Sequence, residues 1–361
     1  MYGFVRTAAA VPKLKVADCY YNTEEIIRLI NEASAKEVEL CVFPELSITG
    51  YTCADLFFQT ALINSAEECL HKITEATLNK NMVVVVGLPI NISNCLYNCS
   101  VAIFEGEILG AVPKTHIPNY SEYYEKRWFN SGKHLKGAIS LCGQSVPIGT
   151  NMIFAAEGID NFTFGIEICE DLWVNIPPSC SLTLSGAMII ANTSASNELA
   201  TKNEYRKALV SNQSARCICA YVYTSAGIGE STQDMVFSGH SLICENGSLL
   251  NESKRFLLKN SLIVSDIDTE LLINDRRKNT SYPIDASEPE IIGFPMYDRV
   301  KTSLERFICP HPFIPKNDDA LNSRCSDIFN IQVTGLAKRI MHTNARSLII
   351  GISGGLDSTL A

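Results

Sequence analysis

Phe162-Thr-Phe-Gly-Ile-Glu-Ile-Cys-Glu-Asp-Leu-Trp173 is the stretch on which the reading of the chain turns. Phe162 to Ile168 is short, aromatic and β-branched, which predicts a buried strand. Cys169 then falls where that strand gives way to the next element, and two acids follow it at once. A sulfur at such a position is accessible to a ligand, so Cys169 is a candidate nucleophile. The chain also holds 14 Cys, and most free cysteines are small buried hydrophobes. The stretch taken alone leaves both readings open.

On its amino-terminal side, Asn22 with Glu25 predicts a capped helix carrying Ile26, Ile27, Leu29, Ile30 and Ala33 on one stripe. Glu39 to Phe43 is a strand ended by Pro44-Glu45, and Ser47 to Tyr51 turns the chain. A helix runs from about residue 59 to 80. Met82 to Leu88, with successive valines, reads as a strand covered on its faces by helices. Val101 to Phe104 and Ile108 to Val112 bracket Glu105-Gly-Glu107 as a hairpin whose second strand runs into Pro113-Lys114. On the carboxyl side come a helical stretch near 176–185, the strand Ala187 to Asn192, a polar loop at 193–198, and a helix from Lys202 to Ala215. The strand Ala220 to Thr224 follows, then a hairpin about Asn246-Gly247 and a strand at Leu262 to Ile267. This alternation predicts an α/β layered fold. Glu45, Lys114 and Cys169 each fall just past a strand's carboxyl end, where open α/β sheets form their ligand crevice.

Composition narrows the partners. A chain of 361 residues that is 46% hydrophobic and 19% charged is an ordinary globular sequence with room for one large core and part of another. A net charge of −9 argues against a broad nucleic-acid or anionic-membrane surface. The N-terminus lacks an apolar core for a signal peptide, and no stretch approaches the roughly 18 apolar residues of a membrane span. A cytoplasmic protein is therefore expected. The cysteines show no paired C-x-x-C and the six His no H-x-x-x-H, so neither a zinc site nor a secreted disulfide framework is supported.

A thiol with a pKa of about 8.5 needs a base or cation nearby to attack at neutral pH. Glu45 can take the thiol proton and return it to a leaving amine. Lys114 can stabilise the charge that develops on an attacked carbonyl oxygen, with the backbone N–H of Glu170 as a second donor. The implied chemistry is acyl transfer from an amide through a thioester to water. Each residue taken singly also admits a plainer role, Glu45 as a turn-capping carboxylate and Lys114 as a solvated lysine.

Phe43-Pro-Glu-Leu-Ser-Ile-Thr-Gly-Tyr51, Pro113-Lys-Thr-His-Ile-Pro118 and Glu167-Ile-Cys-Glu-Asp-Leu-Trp173 resemble, in order, the Glu, Lys and Cys motifs of the nitrilase superfamily. The resemblance covers about residues 1–270 and implies a four-layer α-β-β-α sandwich. It makes Glu45 the base, Lys114 the oxyanion stabiliser and Cys169 the nucleophile. Glu125, in Tyr123-Tyr-Glu-Lys-Arg-Trp-Phe129, resembles a further family glutamate that positions the lysine. No metal is expected in this domain.

Residues 271–325 turn polar and proline-bearing, with Arg276-Arg-Lys278, His311-Pro-Phe-Ile-Pro315 and Asn317-Asp-Asp319, and read as a linker with some docked turns. From 326 a second element begins. Ser326 is a good N-cap for a helix to Ile340, and Ser347 to Ile352 reads as a buried strand leading into Ser353-Gly-Gly-Leu-Asp-Ser-Thr359. That loop suits a pyrophosphate and resembles the loop of ATP pyrophosphatases, the start of a doubly wound α/β domain. Ser353, Gly354, Gly355, Asp357, Ser358 and Thr359 would then contact ATP.

The order of the two parts resembles the glutamine-dependent NAD⁺ synthetase family. By that resemblance Cys169 hydrolyses glutamine, held by Tyr120, Ser196 and Lys202, and the ammonia passes to a second domain. That domain adenylates the nicotinate carboxylate of deamido-NAD⁺ with ATP and Mg²⁺. The expected partners are small molecules, glutamine, deamido-NAD⁺ and ATP, with no nucleic acid or membrane, and a homo-oligomer is expected. The chain is expected to be a fragment supporting only the glutaminase half. A stand-alone amidase and a non-enzymatic domain that holds an oligomer together are the rival readings; an amidase would have no use for the phosphate loop.

Overall fold

The apolar runs assemble into two sheets, seen in a computed structural model that describes residues 3–282, 288–299, 301, 303–314 and 318–361. Two units divide at Arg306/Phe307. In the first, the elements follow in the order β1 (Phe4–Val11), α1 (Cys19–Ala35), β2 (Leu40–Val42), α2 (Thr60–Ala76), β3 (Val83–Ile92), β4 (Cys95–Phe104) and β5 (Glu107–Pro113). Then come β6 (Lys136–Leu141), β7 (Gln144–Gly149), β8 (Met152–Gly158), β9 (Thr163–Ile168), α3 (Pro178–Leu184), β10 (Ile189–Ser194) and α4 (Lys202–Arg216). β11 (Ala220–Ser225), β12 (Leu242–Glu245), β13 (Ser248–Glu252), β14 (Ser261–Asp268), α5 (Thr269–Lys278) and β15 (Glu290–Tyr297) complete it.

One sheet has the order β14-β1-β2-β3-β4-β5-β7-β6 and the other β13-β12-β11-β10-β9-β8-β15. The valine run in β3 shows why the layers form. Val83 and Val85 face the second sheet, packing with Phe154, Phe164, Ile166 and Ile189, while Val84 and Val86 face Ile26, Ile30, Leu70 and Ile73 of α1 and α2. Successive side chains point to opposite faces, so a strand covered on both sides must be apolar throughout. The outer face of the second sheet is closed in the same way, with Ile190, Tyr221 and Tyr223 against Leu182 of α3 and Val210 of α4. The result is the expected α-β-β-α sandwich.

Four sequence expectations change. Asp18, not Asn22, caps α1, accepting the Tyr21 N–H at 3.1 Å. Asn22 lies inside the helix, where its side-chain amide donates to the carbonyls of Lys15 and Ile48 at 2.9 and 3.0 Å. The segment read as linker from 271 begins instead inside α5, and β15 pairs in parallel with β8. Residues to Arg306 are held to the first unit by ion pairs, Lys301 with Glu39 at 2.8 Å and Arg306 with Glu245 at 2.9 Å. Of the stretches quoted there, Pro315 and Asn317 lie outside the described residues.

In the second unit, α6 (Asp318–Thr343) runs through Ser326, so that serine is no N-cap. Residues 347–352 form no strand, and Ile349 and Ile352 stand exposed. A strand needs a neighbour for its amides and carbonyls, and among the described residues of this unit none pairs with it. The loop then enters the short α7 (Leu356–Leu360). Among the described residues no helix is long and apolar enough to cross a membrane.

Candidate active site

Three strand ends carry the reactive groups, as their place in the sequence predicts. Glu45 follows β2 in a turn pressed against β3. A Cβ at Gly87 would stand 2.3 Å from the Leu46 nitrogen and 2.9 Å from the Glu45 carbonyl carbon, so only glycine admits that approach. Lys114 leaves β5 with its N–H donating to the Asn98 carbonyl at 2.8 Å. Cys169 comes directly after β9 with φ of +44°, a left-handed conformation that a non-glycine residue holds at a cost and that clusters at functional sites.

The two sheets are stitched together at this point. The Glu45 N–H donates to the Ser194 carbonyl at 3.3 Å, and the hydroxyls of Ser100 on β4 and Thr193 on β10 meet at 2.6 Å. Asp171 joins the lysine segment to the cysteine turn. Its carboxylate accepts the backbone N–H groups of Thr115 (3.3 Å), His116 (2.8 Å) and Ile168 (3.1 Å). Asp171→Asn puts an amide N–H₂ where one oxygen accepts. Leaving buried donors unpaired should cost about 1–3 kcal/mol, with a fall in turnover as Lys114 and Cys169 lose register. Denaturant midpoints and steady-state rates check this; an unchanged midpoint would remove Asp171 from the account.

At the centre Lys114, with 0% exposure, donates to Glu45 Oε1 at 2.6 Å and to Glu125 Oε1 at 2.7 Å. Asn98 Nδ2 also donates to Glu45 Oε1 (2.6 Å), and the Tyr51 hydroxyl to Glu125 Oε1 (2.7 Å). Both carboxylates thus spend one oxygen on fixing the lysine. Glu45 Oε2 is buried with no hydrogen-bond partner among the described residues, which leaves it free to handle a proton. Burial pulls the Lys114 ammonium down, but Glu125, Glu45 and the Cys169 sulfur together raise it well above its ordinary value. Burial, opposed by Lys114 and assisted by Glu45, pushes the Glu125 carboxyl up to about 7. The Cys169 thiol is raised far above the ordinary range, first by burial and then by Glu45, while Lys114 and the Ala195 N–H draw it down. The sulfur is therefore a thiol at rest, and it needs a base to react.

The mouth of the site gathers the other expected residues. The Tyr120 hydroxyl lies 3.0 Å from each oxygen of Glu170. Lys202 opens α4, hydrogen-bonded to Asn197 Oδ1, with Nζ 5.2 Å from the ring centre of Trp173 and 5.9 Å from that of Tyr123. Burial lowers the Lys202 ammonium and the Cys169 sulfur raises it, a sign of their proximity. Ser196 is buried one residue beyond the Ala195 N–H that lies against the thiol, and its Oγ accepts from Arg206 at 3.3 Å. A small cleft of about 70 Å³ between Tyr51, Tyr123, Tyr124, Trp128 and Asp234 adjoins the centre but includes none of Glu45, Lys114 or Cys169. The phosphate-loop residues lie in the second unit. There Gly354 has φ of +84° and open space where a Cβ would stand, and Ser353 Oγ and Ser358 Oγ are 3.2 Å apart.

Sequence reasoning missed Asn98, Asp171, Asn197 and Arg206 as parts of the site. Asn98 and Arg206 sit within a strand and a helix whose patterns reported only their faces. Tyr51 reads in the sequence as a turn residue, and nothing in that turn announces its reach to Glu125.

The carbon–nitrogen hydrolase family profile matches residues 6–277. The glutamine-dependent NAD⁺ synthetase of Mycobacterium tuberculosis is 36% identical over 369 aligned positions, 100% of this chain and 54% of the relative. The chain thus spans about half the length of the curated relatives it matches. The crystal structure of a glutamine-dependent NAD⁺ synthetase from Cytophaga hutchinsonii superposes with a TM-score of 0.67 at 29% identity, over 74% of this chain and 43% of that one. An amidase of the nitrilase superfamily from Nesterenkonia gives 0.58 at 18% identity, over 77% of this chain and 96% of that one, a likeness of fold alone. With the profile matching from β1 into α5, well over half of the chain, the chain belongs to the carbon–nitrogen hydrolase family.

Proposed function

We propose that the first unit hydrolyses the side-chain amide of glutamine and supplies the ammonia to a glutamine-dependent NAD⁺ synthetase. The observation that carries this is the buried lysine held between two carboxylates, each with an oxygen left unclaimed among the described residues, beside a thiol at a strained strand end. Glu45 Oε2 takes the thiol proton as Cys169 Sγ attacks the amide carbon. The carbonyl oxygen becomes an oxyanion facing Lys114 Nζ and the Glu170 N–H. Collapse expels ammonia, which receives the proton from Glu45, and leaves a thioester. Water then attacks the thioester with Glu45 again as base, glutamate departs, and the proton returns to sulfur. Tyr120, Ser196 and Lys202 hold the amino-acid end, and Glu125 keeps Lys114 aimed.

In the second unit Ser353, Gly354, Gly355, Asp357, Ser358 and Thr359 would hold the pyrophosphate of ATP. The open glycine backbone and grouped hydroxyls suit an anion, and Mg²⁺ and deamido-NAD⁺ belong to the same proposed step. A cytoplasmic, homo-oligomeric enzyme acting on small molecules is part of this reading. Intact mass after incubation with the glutamine analogue 6-diazo-5-oxo-L-norleucine should show one adduct in the wild type and none in Cys169→Ala. An adduct on the variant, or none on either, would sink the assignment.

A further inference from the structure

Arg206 is wholly buried, on the same face of α4 as Lys202 and one turn beyond it. Its guanidinium grips three consecutive loop residues. Nη2 donates to Ser196 Oγ at 3.3 Å and to the Asn197 carbonyl at 3.0 Å, and Nη1 donates to Glu198 Oε1 at 2.7 Å. Nη1 also lies 2.9 Å from His240 Nδ1. Because a guanidinium only donates, Nδ1 must accept, so the His240 proton sits on Nε2, which faces Glu252 Oε1 at 2.9 Å. The fork is thereby oriented from behind as well as in front.

The gripped segment builds one wall of the mouth. Asn197 Oδ1 accepts the Tyr123 hydroxyl at 2.8 Å and the Lys202 ammonium, and the Asn197 N–H donates to the same hydroxyl at 3.1 Å. The Ala195 N–H, just before the segment, lies against the Cys169 sulfur. One planar cation thus sets where Asn197 stands, and Asn197 sets where Lys202 points. A lysine in place of Arg206 could not span these acceptors, since the spread of its donors is that of a single nitrogen.

Resting on the glutaminase reading, we infer that Arg206 is a positioning residue for substrate selection. Through Ser196, Asn197 and Glu198 it holds Lys202 toward the mouth, so that the site favours amides whose far end carries a carboxylate. Glu198 pairs with both Arg206 (2.7 Å) and Arg255 (3.6 Å), and Lys202 is the cation of this wall that bonds Asn197. The nucleophile and its base stand on other strands and meet this segment through Ala195, whose N–H lies against the Cys169 sulfur, and Ser194, whose carbonyl takes the Glu45 N–H, both ahead of the residues that Arg206 holds.

The test compares the full chain with Arg206→Gln and Arg206→Lys on L-glutamine and on butyramide, an amide without a carboxylate. Alkylation of Cys169 by iodoacetamide is followed by intact mass alongside. Arg206→Gln is expected to raise KM for glutamine about tenfold or more with kcat changed by less than about threefold, the signature of lost uniform binding. Butyramide turnover and alkylation should stay near the wild-type rates, and Arg206→Lys should recover part of the loss. A proportional fall in all three rates would mean a merely structural arginine and overturn the inference, as would an unchanged KM. Should Arg206→Gln give no cooperative melt, Arg206→Lys carries the same comparison. Wild-type turnover of glutamine with an unchanged KM in the variants leaves the glutaminase reading standing. Wild-type preference for butyramide over glutamine overturns both.

Discussion

Glu45→Gln is expected to lower glutamine turnover about 10²–10⁴-fold, the range for a lost general acid–base group, while the fold stays intact. The amide oxygen of glutamine can still accept from Lys114 and Asn98, both of which bond Glu45 Oε1. What disappears is the proton-accepting capacity of Glu45 Oε2, which has no hydrogen-bond partner among the described residues. Raising the pH should not rescue the variant. Burial, the largest cause of the raised Cys169 thiol, survives the substitution even though the Glu45 charge, the second cause, is lost, so the thiol is expected to stay largely protonated. The measurement is kcat from pH 6 to 9, with a melt to verify folding. Recovery to near wild-type rates at pH 9 would show that the thiol ionises without Glu45.

Lys114→Met is expected to lose both activity and stability. One oxyanion donor is worth about 10²–10³ in rate. The stability loss arises because two buried carboxylates face one ammonium, and removing one partner of a buried ion pair costs about 3–5 kcal/mol. The deficit should depend on pH with a definite sign. Glu125 is already pushed up to about 7 by burial despite Lys114, and without the lysine it must rise further. A carboxyl whose folded pKa lies above its unfolded value binds extra protons when folded, so the fold gains stability as pH falls through the folded value. The variant's deficit against the wild type is therefore largest above its own further-raised Glu125 value and shrinks as pH falls to about 7, below which the wild-type Glu125 takes up the same proton. Denaturant melts at pH 8 and 5.5 test this; equal deficits would mean that the glutamates remain charged or were never strained.

The sandwich was legible because its strands are covered on both faces and so read as unbroken apolar runs, Met82 to Leu88 above all. Strands with one exposed face, such as β6 and β13, carry a weaker pattern, and β15 was lost in a segment whose polar composition resembles a linker. Its pairing with β8 comes from tertiary contact, which no local propensity reports. Glu45, Lys114 and Cys169 could be found because each stands where a strand stops, a position that sequence marks well. Their geometry could not. The sharing of Lys114 between two carboxylates, the reach of Tyr51 to Glu125 and the grip of Arg206 on the 196–198 segment all depend on residues far apart in the chain. The expected strand at 347–352 failed for the opposite reason, since an apolar run is only a strand where another strand receives it.

The acid and the lysine stand on one sheet and the thiol on the other, joined where Glu45 meets Ser194 and Ser100 meets Thr193. Neither sheet by itself contains a reactive sulfur. On the proposed reading, a chain in the midst of folding has neither Glu45 nor Lys114 beside Cys169, and the thiol gains its base only when the two sheets close. The seam would thus keep the proposed nucleophile without its base until the sandwich around it has formed.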